Sequence, residues 1–88
     1  MNTPINHRPL SDIAREISTE WRPLYFGARP YLCAMYSLTK ITDVYGYDSA
    51  DSIVRYFLAN AGTWRGDKAR TIKSELKEIL KLRSECQK

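Results

Sequence analysis

Five cations near the end of this 88-residue chain fall along one edge of a helix. At 100° per residue, Arg70, Lys73, Lys77, Lys81 and Lys88 lie within an arc of about 80°. Glu75, Glu78 and Glu85 fall on the opposite flank of the apolar face. Cationic groups repeated on successive turns can track a run of phosphates, and each contact adds to the salt dependence of binding. Arg70, Lys73, Lys77 and Lys81 are therefore candidate nucleic-acid contacts. The competing reading is a solvated flank whose lysine stems cover the edge of the core. The distribution of charge singles out the same segment. The formal net charge is +4 and the pI about 9.2. Up to Asn60, Arg8, Arg15, Arg22, Arg29, Lys40 and Arg55 are matched by Asp12, Glu16, Glu20, Asp43, Asp48 and Asp51, so the whole excess sits after Asn60.

A second candidate is the corner Thr63-Trp64-Arg65-Gly66-Asp67. Trp64 lies off the apolar stripe of the helix that follows, and Arg65 stands beside it. Trp and Arg are the types most enriched at interface hot spots, which makes the pair a candidate protein contact. The alternative is that Trp64 folds back onto the preceding helix and closes the turn. Tyrosines supply the third feature. Tyr36, on a helix flank, and Tyr47, in a loop, are the ones expected at the surface, where with Arg29 or Arg55 they could form a patch. Rings with an apolar body and a polar tip also suit the rim of a small core.

Catalytic and metal chemistry find little support. His7 is the only histidine, and Cys33 and Cys86 lie far from it in sequence, a poor basis for a metal site. Asp43, Asp48 and Asp51 surround Gly46 without the spacing of a calcium loop. No glycine-rich phosphate loop is present. The expectation is a protein that is not an enzyme and carries no cofactor. Cys33 reads as core or half-buried. Both cysteines read as free thiols of a reducing compartment. No apolar run approaches the ~20 residues that span a bilayer. Met1 to Pro9 lacks the apolar centre of a signal peptide, so a cytoplasmic location is expected.

The elements that would position these residues are helical throughout. Residues 1–9 read as a flexible arm and residues 10–88 as one domain. Ser11 caps a first helix whose apolar face is Leu10, Ile13, Ala14, Ile17 and Trp21, and Pro23 stops it. Pro30 opens a second helix with the stripe Tyr31, Ala34, Met35, Leu38, Ile41 and Tyr45, ended by Gly46. Asp48 or Ser49 caps a third, with Ile53, Val54, Phe57, Leu58 and Ala61 inward and Gly62 as its stop. Thr63 caps a fourth, running to about Arg83, with Ala69, Ile72, Leu76, Ile79 and Leu80 inward. The fold class is all-α, about four helices in a bundle or an orthogonal array. The joint between the third and fourth helices invites a helix-turn-helix reading. That register, however, puts Lys68 and Thr71 where a recognition helix packs apolar residues inward.

Four stretches of the chain resemble a group of short uncharacterised bacterial proteins common on phages, plasmids and other mobile elements. They are Ile13–Ile17, Tyr25–Leu32, Tyr45–Ser49 and Tyr56–Gly66. The resemblance spans about Leu10 to Leu80. It supplies no catalytic residues and implies a context: small accessory proteins that work by binding host or element machinery. The leading expectation is a protein partner docked on Trp64 and Arg65 or on the surface carrying Tyr36 and Tyr47. The alternative is phosphate binding along Arg70, Lys73, Lys77 and Lys81. A third reading is a homodimer that covers an apolar patch.

Overall fold

The computed structural model describes the backbone of residues 7–86 and the side chains of that range except those of Tyr45 and residues 83–86. The protein is a small all-α domain with four α-helices among the described residues: α1 (Leu10–Glu20), α2 (Arg29–Met35), α3 (Ala50–Ala59) and α4 (Asp67–Cys86). Between α2 and α3 lies a minimal ribbon of β1 (Val44–Tyr45) and β2 (Asp48–Ser49), antiparallel, with Val44 opposite Ser49 and Tyr45 opposite Asp48. α2 packs against α1 and α3, and α4 packs against α1 and α3. Along α1 the apolar spacing delivers the expected face: Leu10, Ile13, Ala14 and Ile17 are all buried. The helix begins two residues earlier than the Ser11 cap implies, with Pro9 at the N-cap. Its free N–H groups are met from elsewhere in the chain. Leu10 donates to the Thr39 carbonyl (3.0 Å) and Ser11 to that of Leu38 (2.8 Å).

The second helix is the main departure from the sequence expectation. It ends at Met35, well before Gly46. Leu38 and Ile41 are buried as expected (1% and 0% exposed), but from a loop. The reason is local turn chemistry. The Asp43 carboxylate accepts from the backbone N–H of Thr39 and of Lys40, each at 3.0 Å, and so closes a turn that a continuing helix would forbid. Those two bonds hold the Asp43 carboxyl below its ordinary range. Gly46 uses its conformational freedom at the tip of the β-ribbon (φ +62°) and caps no helix. The side chain of Tyr45, expected on the buried stripe, lies outside the described residues.

Ser49 caps α3 as anticipated, its hydroxyl accepting from Ser52 N–H at 3.4 Å. That helix closes at Asn60, ahead of Gly62. α4 begins at Asp67, later than the Thr63 cap implies. Gly66, immediately before it, sits at φ +114°, a conformation that interrupts a helix, so residues 60–66 form a connector. That connector exceeds the ~3–4-residue turn of a helix-turn-helix unit.

The described end of the arm contacts the body of the domain. Residues 1–6 lie outside the described range, but His7 to Pro9 are tied down. The Ile41 N–H donates to His7 Nε2 at 3.3 Å. Arg8 makes a two-pronged bond to Glu75, Nε to Oε2 at 2.9 Å and Nη2 to Oε1 at 2.7 Å. Charge complementarity explains the docking: Arg8 also meets Glu16 (2.9 Å), and Glu16 meets Lys68 (3.1 Å).

Candidate anion-binding hollow

The connector between α3 and α4 is held by aromatic packing. Trp64 is 5% exposed and lies flat on Trp21, ring centres 5.2 Å apart and planes 6° from parallel. Phe57 of α3 meets the same Trp21 edge-on at 6.1 Å. Trp64 is therefore a wall of the core and no free anchor for a partner. It closes the turn, as the alternative reading held, but its ring partner comes from the end of α1. The Trp64 N–H donates to the Ala61 carbonyl at 3.1 Å. Its own carbonyl accepts from the Lys73 ammonium at 2.6 Å. Lys73 is thus a strut between the second turn of α4 and the connector.

This arrangement projects Arg65 outward beside α4, whose successive turns carry Arg70, Lys73 and Lys77. Together with Trp64 these four cations line one open hollow of about 460 Å³. Two groups that the sequence offered separately, the Trp64-Arg65 corner and most of the basic edge of α4, meet at one hollow. Among the described residues no carboxylate lies within 4 Å of Arg65, Lys73 or Lys77. Arg70 has one partner, the exposed Asp67, at 3.7 Å. The electrostatic consequence shows on Lys73. Partial burial, then the nearby charges of Lys77 and Arg65, lower its pKa from the ordinary lysine value. An anion in the hollow would reverse the second effect.

The other candidate residues are placed elsewhere. Lys81 is exposed one turn beyond Lys77 and does not line the hollow. Tyr36 is 40% exposed and donates its hydroxyl to Ser18 at 2.7 Å. Tyr47 stands fully exposed at the ribbon tip. Neither borders the basic hollow. Lys88 and the side chain of Glu85 lie outside the described residues. Cys33, expected in or near the core, is exposed as a free thiol, while the Cys86 side chain is outside the described set. Two features escaped the sequence reading. Ser74 adds a hydroxyl to the hollow, legible from its place beside Lys73 and Lys77. Phe26 is 77% exposed on the 3-10 turn before α2, although residues 24–29 read in the sequence as an apolar connector that packs on the core.

Among the described residues no three His, Cys, Asp or Glu side chains gather as a metal site. No helix there is long and apolar enough to cross a membrane. What the hollow offers chemically is fixed positive charge and N–H donors, the complement of phosphate or carboxylate oxygens. No protein-family model, curated protein or solved structure matches this chain.

Proposed function

We propose that this is a non-enzymatic binding protein whose partner is a nucleic acid, held by its phosphates in the hollow beside α4. The observation that carries this reading is the convergence of Arg65, Arg70, Lys73 and Lys77 on one open concavity, in a chain whose net positive charge all lies after Asn60. Arg65 and Arg70 supply planar, two-pronged donors and Lys77 a compact point charge. Lys73 adds charge while its N–H holds the connector in place. Binding of this kind draws its free energy from counterion release. An accessory role on a phage or plasmid, the context implied by the sequence resemblance, is compatible with it.

A protein partner is the second reading, and the exposed rings favour it. Phe26 (77%) and Tyr47 (107%) leave large apolar area in solvent, with Tyr36 half-covered. Since Trp64 is buried, such a partner would dock on these rings and leave the Trp64-Arg65 corner alone.

Fluorescence anisotropy with labelled nucleic acid tests the first reading. Affinity is expected to fall by orders of magnitude as salt rises from about 50 to about 200 mM. It is expected to collapse in Lys77→Glu. Salt-insensitive binding, or none, overturns it. Capture of a defined protein from nuclease-treated lysate of the source host, lost on Phe26→Ser, would move the second reading to first place.

A further inference from the structure

Beside the tryptophan pair lies a second open hollow, of about 430 Å³, bordered by Glu20, Trp21, Arg22, Trp64 and Arg65. Arg65 and Trp64 belong to both hollows. Arg22 is exposed, and its Nε–H reaches back to the Ser18 carbonyl of α1 at 3.4 Å, which plants the guanidinium at the end of that helix. Cations thus continue past the connector: Lys77, Lys73 and Arg70 along α4, Arg65 at the junction, Arg22 beyond it. Between Arg70 and Lys77 alone the helix rises about 10 Å. Successive phosphates of one duplex strand are spaced about 3.4 Å along the axis, so a row that continues through Arg65 to Arg22 offers contacts to several phosphates of an extended polyanion.

The aromatic rings at the junction indicate which kind of nucleic acid fits. Proteins that hold single strands without sequence preference combine a basic groove with open ring faces on which bases stack. Here Trp21 and Trp64 are 7% and 5% exposed and stacked on one another, so the rings between the two hollows offer no face to a base. The contacts available are to phosphates. A duplex presents its phosphates outward with the bases already stacked inside. Resting on the nucleic-acid reading above, we infer that the two hollows form one phosphate track for double-stranded nucleic acid, with Arg65 as its centre and Arg22 as its far contact, bound without base readout.

Glu20 gives this inference a signature of opposite sign. It is the carboxylate bordering the second hollow, so a backbone passing there is repelled by it. Both residues are exposed, and exchanging either leaves the core untouched. The test is an anisotropy titration of the intact chain over a range of salt. The probes are a short labelled duplex, one of its strands alone, a duplex of scrambled sequence and polyglutamate. The duplex is expected to bind more tightly than the strand or polyglutamate, and the scrambled duplex equally well. Arg22→Gln is expected to weaken duplex binding and reduce the salt slope by about one unit. Glu20→Gln is expected to strengthen it severalfold.

If neither Arg22→Gln nor Glu20→Gln changes the affinity while Lys77→Glu abolishes it, the extended track is overturned and the nucleic-acid reading stands. Tighter binding of the single strand overturns the duplex assignment, and tighter binding of polyglutamate overturns recognition of phosphate. Absence of binding to both duplex and strand removes this inference together with the reading on which it rests.

Discussion

The two flanks of α4 carry similar residue types and use them in opposite ways. On the flank toward α1, charge is consumed by the fold. Glu75 takes both prongs of Arg8, Arg8 also meets Glu16, and Glu16 meets Lys68. On the other flank Arg65, Lys73 and Lys77 face one another across an open hollow with no carboxylate within 4 Å among the described residues. The pKa directions follow the same division. Hydrogen bonds from Lys68 and Arg8 hold the Glu16 carboxyl below its ordinary value, whereas Lys73 is pushed below its own by burial and by neighbouring cations. Net charge alone therefore does not locate a binding surface. A clasp and a binding surface can share one helix, and what separates them is whether the chain supplies the opposite charge.

The largest effect is expected where the connector is anchored. Trp64→Ala removes the stacked ring from Trp21 and is expected to cost about 3–5 kcal/mol, a large part of the stability of so small a domain, as read by chemical denaturation. If the variant stays as stable as the parent, the tryptophan pair is not the wall from which Arg65 projects.

Next come variants that separate the flanks. Lys77→Glu is expected to lower nucleic-acid affinity at least tenfold, about 1.4 kcal/mol, while denaturation shifts by no more than about 0.5 kcal/mol. Glu75→Gln should do the reverse. It loosens the Arg8 clasp by about 1 kcal/mol, a figure kept small by the partial exposure of the pair, and leaves affinity unchanged. Were Glu75→Gln to alter binding as strongly as Lys77→Glu, the division between the flanks would collapse.

How far the sequence anticipated this picture depends on whether the relevant partner was local. Helix geometry alone puts Arg70, Lys73 and Lys77 on one edge, so that row was legible from angles. The cap at Ser49 and the buried face of α1 were legible for the same reason. Leu38 and Ile41 misled because a loop that buries every third residue has the same spacing as a helix. The Asp43 bonds that bend it outweigh that spacing. That Trp64 folds back and closes the turn was one of the two local readings, but its ring partner could not be read locally, since Trp21 lies on another element and only the fold brings the rings together. Arg65 joined the α4 row for the same tertiary reason. Phe26 remained hidden because nothing in a residue's type reports that it is left uncovered.

The smallest effect is a dependence on pH. The carboxyls of Glu16 and Asp43 have pKa values lowered in the folded chain, by side-chain donors and by backbone N–H groups respectively. Their contribution is complete above the unfolded values of about 4 and is lost as pH falls through the lower folded ones. Acid titration of unfolding is expected to show that loss. Arg8→Ala should shrink the share owed to Glu16, and an unchanged profile would mean that the clasp adds nothing to stability.

The division between the flanks is tested most directly by titrating a short duplex into the isotopically labelled protein and following the backbone amide resonances. Shifts are expected to concentrate on Arg65, Arg70, Lys73 and Lys77, with Arg8, Glu16 and Lys68 little moved. Shifts centred on the clasp, or on Phe26 and Tyr47, would contradict that division.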